Sequence, residues 1–330
     1  MNHSSPATLT KSTKASIRER GPAVAANLSK YGAGLALVLL LIFSSLASDR
    51  FLQVDNALNV LRQISIVGVL ALGMTFVIIT AGIDLSVGAM LSVVVVYTAD
   101  TVQTRGVLAG VAMAIGLGAL FGLVNGLGVA LGRIPPFVMT LGMLAFAKGV
   151  ALIFTEGQPV SITNDAFLAF GNGRTFGLPN PALVFLFLLA VCMFVLRGTV
   201  FGRSVYAVGS NQEAARLSGI SVRRVQCAVY VISGLMVGVA GILYASQLGV
   251  GTPVAGDGKE LDAIAATVVG GTSLFGGVGT AGGTFIGAAI LGVLSNILNL
   301  SGVSPYVQYL FRGGLIVVAV LFQRRSGRLR

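Results

Sequence analysis

Asp84 is the only charged side chain between Arg62 and Asp100, a stretch of 37 residues. It sits in the segment Gly73-Met-Thr-Phe-Val-Ile-Ile-Thr-Ala-Gly-Ile-Asp-Leu-Ser-Val-Gly88. A carboxylate in hydrocarbon costs roughly 2.5–3.5 kcal/mol on insertion scales, so it must face protein or water. Two readings are open. Asp84 lines a polar cavity, or it caps a helix starting at Asp84 or Leu85, where a carboxylate satisfies orphan N–H groups and meets the positive dipole end. Both readings require unwound backbone there, which lipid does not tolerate unless protein surrounds it. A second interruption is Gly270-Gly-Thr-Ser-Leu-Phe-Gly-Gly-Val-Gly-Thr-Ala-Gly-Gly283, in which seven of fourteen residues are glycine. Glycine here reads either as irregular backbone or as tight helix packing. Beside the two interruptions, Thr75, Thr80, Ser86, Asn125, Thr267, Thr272 and Ser273 place uncharged hydroxyl and amide groups within apolar runs. Polar groups inside the bilayer are what a channel or carrier must expose to its solute.

A third feature is polar. Within residues 198–224, Gly209-Ser-Asn-Gln-Glu-Ala-Ala-Arg-Leu-Ser-Gly219 has Ser210 and Glu213 at capping-box spacing. Ala214 and Ala215 then continue a short helix with Arg216, and Gly219 suits a left-handed stop. Other chemistries are excluded. The one histidine, His3, lies in a polar tail, and Cys192 and Cys227 lie apart in apolar runs, so no metal-ligand set or histidine-based triad forms. No Gly-x-x-x-x-Gly-Lys-Ser/Thr loop for nucleotide phosphates occurs.

The elements that hold these residues follow from composition. The 330 residues are 55% hydrophobic and 10% charged, with a mean hydropathy of +0.90. A soluble chain averages about 25% charged residues, so the chain reads as an all-α polytopic membrane protein. The net charge of +11 does not indicate nucleic acid, because the basic residues cluster beside apolar runs, as topology signals do.

A crossing needs about 20 apolar residues. Spans are expected near 31–47, 64–80, 87–103, 106–132, 135–154, 181–196 and 225–247, with Pro135-Pro136 opening the fifth. The uncharged run from Ala263 to Phe311, 49 residues long, is expected to hold two more, broken at the glycine-rich segment. A last span near 306–322 makes ten. Residues 1–30 read as a disordered basic cytoplasmic tail without a convincing signal cleavage site before Asp49. Residues 31–323 form the transmembrane domain, and 324–330 a second basic tail. Of 22 lysines and arginines, 14 lie in the N-terminal tail, the segment 197–224 and the C-terminal tail. Ten spans place all three on the cytoplasmic side, with both termini inside. Lys148 reads as snorkelling to an interface or as lining a pore. Glu156, Glu260 and Asp262 read as span ends facing water.

Together, the Gly73–Thr80 and Gly82–Gly88 motifs and the Gly209–Gly219 loop resemble those of the permease subunit of ribose-type ABC sugar importers. Gly256-Asp-Gly-Lys-Glu-Leu-Asp-Ala-Ile-Ala-Ala266, continuing into Gly270-Gly-Thr-Ser-Leu-Phe-Gly-Gly277, adds to the likeness. So does Thr155-Glu-Gly-Gln-Pro-Val160. The resemblance covers about residues 55–323 and implies a fold similar to the vitamin B12-type importer permeases. It implies a second permease copy, a separate ABC ATPase carrying ATP and magnesium, a periplasmic sugar-binding protein and a bacterial inner membrane. The chain itself needs no cofactor and is not an enzyme. In this family the loop with Glu213, Ala214, Ala215 and Gly219 docks the ATPase, whose closure drives alternating access. Arg50, Arg174 and Lys259, in expected outer loops, are candidates to meet the binding protein. An ion-coupled carrier using Asp84 is the rival from another class. An intramembrane enzyme is disfavoured for want of a base.

Overall fold

The computed structural model describes residues 32–304, together with 306–308, 310, 311, 313, 314, 317 and 321. The two basic tails expected at 1–30 and 324–330 lie outside the described residues, and the expected span at 306–322 is described only in part.

The described chain is mostly helical. In order come α1 (Gly32–Ala47), α2 (Val54–Ile79), α3 (Val87–Arg105), α4 (Val107–Ala130), α5 (Pro136–Thr155), α6 (Asp165–Asn172), α7 (Asn180–Gly198), α8 (Val200–Ser210), α9 (Gln212–Leu217), α10 (Val222–Leu248), α11 (Lys259–Val269) and α12 (Ala281–Leu300). Seven of them, α2, α3, α4, α5, α7, α10 and α12, are long and apolar enough to cross a membrane. The chain is a polytopic helical membrane protein. Two short antiparallel strand pairs form: Val160–Ser161 with Val250–Gly251, distant in sequence, and the hairpin of Arg174–Thr175 with Leu178–Pro179.

Both ends of the bundle are defined by these small elements. The strand pairs and α6 gather at one end, with the start of α2 and the end of α10. At the other, the end of α2, the end of α8 and α9 meet. α2 and α3 form the buried centre, with Val69, Leu72, Met74, Met90, Val93 and Val94 fully enclosed. α4, α5 and α7 form the perimeter and turn Phe137, Phe146, Ile153, Phe187 and Phe194 outward. Exposed apolar surface on that scale suits lipid rather than water.

The pair α4–α10 is set by glycine. Gly118, Gly122 and Gly126 recur every fourth residue along one stripe of α4. A Cβ on Gly118 would lie 2.3 Å from the Gly234 carbonyl oxygen, and one on Gly122 2.4 Å from that of Tyr230. Lipid gives no hydrophobic drive between helices, so close backbone approach supplies the attraction. The Gly-rich character of residues 106–132 is therefore packing.

The first expected break is present: α2 ends at Ile79 and α3 begins at Val87. The region after α10 departs from the expectation of a full crossing beginning near Ala263. Residues 252–258 re-enter the bundle as irregular backbone, with Gly256 N–H donating to Ser92 Oγ at 3.0 Å. A Cβ on Gly88 would meet the Gly256 carbonyl and Glu260, so α11 starts part-way down the bundle. Its 11 residues rise about 16 Å, roughly half the hydrocarbon thickness. Pro253, Ala255 and Gly256 of this non-helical stretch are buried by protein, the condition under which irregular backbone is stable inside a membrane.

Candidate functional site

The three features read from the sequence meet at the α9 end. Gly277 N–H donates to the Ile79 carbonyl at 2.8 Å, joining the second break to the first. Gly209, near the end of α8, packs so closely on the same carbonyl that a Cβ there would lie 1.7 Å from its oxygen. Tyr206 Oη, one turn earlier on α8, donates to the Gly279 carbonyl at 2.7 Å. Ser273 Oγ accepts from Phe275 N at 3.2 Å and shapes the turn between them.

α9 hangs from this junction. The expected Ser210–Glu213 capping box does not form. Ser210 is the last residue of α8, and its hydroxyl donates back to the Tyr206 carbonyl at 2.9 Å. Asn211 is the cap instead, its Oδ1 accepting from Ala214 N at 2.9 Å. The reason is the helix α8 ahead of it: Ser210 is helical, and the extended geometry a cap needs falls on Asn211. Glu213 pairs with Arg216, Arg216 Nε donating at 3.0 Å. That contact holds the Glu213 carboxyl below its usual value. Ala215 is buried against the body, whereas Glu213, Ala214, Arg216 and Leu217 are exposed. Gly219 ends the unit with φ of +83°, the left-handed stop expected of it.

Asp84 sits inside the bundle, fully buried. Its Oδ1 accepts from Ser86 N at 3.0 Å and Ser86 Oγ at 2.6 Å, and its Oδ2 accepts from Ser233 Oγ at 3.2 Å. Asn125 Nδ2 donates to Ser86 Oγ at 2.9 Å. The carboxylate thus holds the turn that leads into α3 and ties it to α4 and α10. The cap of α3 itself is Ser86, which makes no side-chain cap bond. In this conformation Asp84 lines no open cavity.

A second polar group lies between α2, α11 and α12. Thr75 Oγ1 and Thr284 Oγ1 are 2.6 Å apart. The Ala71 carbonyl accepts from Thr75 Oγ1 at 2.7 Å and from Thr267 Oγ1 at 3.2 Å. Thr80 turns back on the Val77 carbonyl, and Thr272 is buried within the second break.

Above the threonines, toward the hairpin end, the same three helices and α10 part around a cavity of about 280 Å³. Gln63, Tyr244, Gln247, Lys259, Asp262 and Asn299 are among its lining residues. Sequence reasoning missed the amides here, because it weighed only polar groups near the two breaks. Their signal was amides recurring on otherwise apolar helices: Gln63, Gln247 and Asn299. None of the expected path residues lines this cavity.

The charged residues also move from their expected places. Arg50 is exposed after α1, and Arg174 pairs with Asp55 at 3.2 Å on the hairpin end. Lys259 is not on an outer loop: it opens α11 inside the cavity, 3.6 Å from Asp262. Asp262 is buried rather than facing water. Both follow from the re-entrant path of residues 252–258, which carries the start of α11 inward. Lys148 neither snorkels free nor enters the cavity. It pairs with Asp257 on that same re-entrant stretch. The described residues hold no cluster of histidine, cysteine and carboxylate able to bind a metal.

Comparison with known proteins decides what this junction belongs to. The family described as branched-chain amino acid transport system / permease component matches residues 56–320, which span both breaks and α9. The chain belongs to this family of transport permeases. The permease is 43% identical to the ribose import permease protein RbsC of Escherichia coli (strain K12) over 297 residues, 88% of this chain and 92% of the relative. It is 43% identical over 303 residues to RbsC of Bacillus subtilis (strain 168), covering 91% and 94%. It is 36% identical over 367 residues to the xylose transport system permease protein XylH of Escherichia coli (strain K12), covering 92% and 93%. No solved structure matches. The permease is the membrane component of a sugar ABC importer rather than an enzyme.

Proposed function

We propose that the permease carries a monosaccharide, ribose in the first place, across a bacterial inner membrane, driven by a separate ATPase that binds ATP and magnesium and docks on α9. The observation that carries this reading is the meeting of α8, both helix breaks and α9 at one end, Gly209 and Gly277 both lying on the Ile79 carbonyl. A push on α9 is thereby delivered to the two places where the membrane helices are interrupted. α9 offers a partner the exposed Glu213 and Arg216 and the apolar side chain of Leu217, 74% exposed. The sugar follows from the names of the relatives, two of which are ribose import permeases.

The rest of the proposal follows from that frame. The loop 209–219 faces the cytoplasm with both termini, and the hairpin end faces the periplasm, where Arg50 and Arg174 meet a sugar-binding protein. Lys259 lies too deep to join them. The path is gated by the polar residues Thr75, Thr80, Asp84, Ser86, Asn125, Thr267, Thr272 and Ser273. Ten membrane segments result when α1, the re-entrant α11 and a helix after residue 305 join the seven long helices. Ten segments are the number that the resemblance to the vitamin B12-type permeases implies, and with that fold goes a dimer of two copies. The re-entrant half-helix supports a transport role, since interrupted helices recur at transport sites.

The test is complex formation. Glu213→Ala and Gly219→Pro are each expected to abolish co-purification with the ATPase while the permease still elutes as a folded membrane protein. Unchanged co-purification and uptake in both would refute docking at α9.

A further inference from the structure

We infer that the cavity between α2, α10, α11 and α12 is a binding site for one neutral polyhydroxylated molecule, the first station of the sugar within the permease. This deepens the proposed function and rests on it.

Size, lining and position support the inference. The cavity of about 280 Å³ is on the scale of one small ligand such as a monosaccharide. Such a volume sits at the lower edge of small-molecule sites. Four lining amides, Gln63, Gln247, Asn299 and Gln308, offer donors and acceptors together, as sugar hydroxyls require, since each hydroxyl both gives and accepts a hydrogen bond. Gln308 Nε2 already donates to Asn299 Oδ1 at 2.7 Å, which leaves the Asn299 amide N–H groups to a ligand. Gln247 Oε1 is enclosed and has no hydrogen-bond partner among the described residues. A buried acceptor left unpaired costs free energy that a ligand hydroxyl would recover. Tyr244 adds an aromatic face beside the amides. The apolar part of the lining, with Ile66 and Leu291, suits the C–H faces of a sugar ring.

The cavity's Lys259 and Asp262 lie 3.6 Å apart. A neutral ligand can meet the amides and leave that ion pair in place, without desolvating either charge further.

Position completes the case. The cavity lies at the hairpin end, where Gln247 belongs to the last turn of α10 and Asn299 to the last turn of α12. Below it the same helices carry the Thr75–Thr284–Thr267 cluster, and below that lie the break residues Thr272 and Ser273. A molecule held in the cavity therefore rests on a closed, hydroxyl-lined seam that leads toward the α9 end.

The experiment uses the assembled transporter in proteoliposomes, with Asn299→Cys labelled by a membrane-impermeant maleimide and the parent protein as background for Cys192 and Cys227. D-ribose at saturating concentration is expected to slow labelling at least threefold, and L-leucine to leave it unchanged. Protection by L-leucine, or by neither, overturns the inference. Gln63→Ala and Gln247→Ala, made separately and checked for complex assembly, are each expected to lower ribose uptake about tenfold. Uptake at the parental rate in both assembled variants overturns the cavity as the sugar site while leaving the permease reading intact. Absence of ATP-dependent uptake by the parent complex instead overturns the permease reading itself.

Discussion

Gly277 N–H donates to the Ile79 carbonyl oxygen at 2.8 Å, and through that bond two breaks about 190 residues apart in sequence become one joint. Gly209 closes on the same oxygen from α8. Because three backbone segments share this point, a side chain has no room there. Gly209→Val is expected to force the segments apart and cost on the order of 1–3 kcal/mol, as overpacking does. Thermal unfolding of the purified permease in detergent reads the loss. Where the variant still folds, ATP hydrolysis in the complex is expected to continue without uptake, because the link from α8 to the breaks is severed.

The glycines of α4 separate packing from lipid exposure. A Cβ at Gly122 would meet the Tyr230 carbonyl at 2.4 Å, whereas one at Gly116 would find nothing within 4 Å. Gly122→Ala is expected to lower the unfolding temperature clearly. Gly116→Ala is expected to leave it unchanged or raise it, since alanine is favoured over glycine by about 1 kcal/mol within a helix. Equal effects from the two would contradict the α4–α10 interface.

Asp84 is held as an acceptor by Ser86 and Ser233. Asp84→Asn keeps an oxygen in place and is expected to fold. Asp84→Leu leaves the Ser86 N–H and two hydroxyls without their acceptor inside the bundle, at about 1–3 kcal/mol. The comparison is read from monodisperse yield and melting temperature. A folded Asp84→Leu with parental stability would show that the cluster contributes little.

The α9 ion pair predicts a pH dependence with a definite sign. Arg216 lowers the Glu213 carboxyl, so the pair's contribution is present above the unfolded-state value and is lost as pH falls through the folded-state value. The folded permease is therefore expected to lose this small contribution only in acid, with none of it lost between about pH 6 and 8. Glu213→Gln removes that acid step. Melting temperature measured against pH, with and without the substitution, checks it.

Much of this was legible in the sequence. The breaks at Ala81-Gly82 and Gly270–Gly283 were visible because charge and glycine interrupt apolar runs, and Gly219 was visible because a left-handed stop favours glycine. Helix α5 begins at Pro136, within the proline pair expected to open it. What was hidden depends on three-dimensional path. The cap falls on Asn211 because α8 extends through Ser210, and α8 does not show in the sequence because its 11 residues are too short to stand out from the polar segment. Lys259 and Asp262 looked like water-facing loop charges because nothing local reveals that residues 252–258 dive into the bundle. The cavity amides were passed over because Gln63, Gln247 and Asn299 are far apart in sequence and meet only once α2, α10 and α12 pack.

Transport itself is the most direct measure of the account. The permease, reconstituted with its ATPase and sugar-binding protein, is expected to accumulate labelled ribose in proteoliposomes only when ATP is hydrolysed on the α9 side, and to stop when Gly219→Pro replaces the parent. Accumulation by the permease alone under an ion gradient, without any ATPase present, would contradict it.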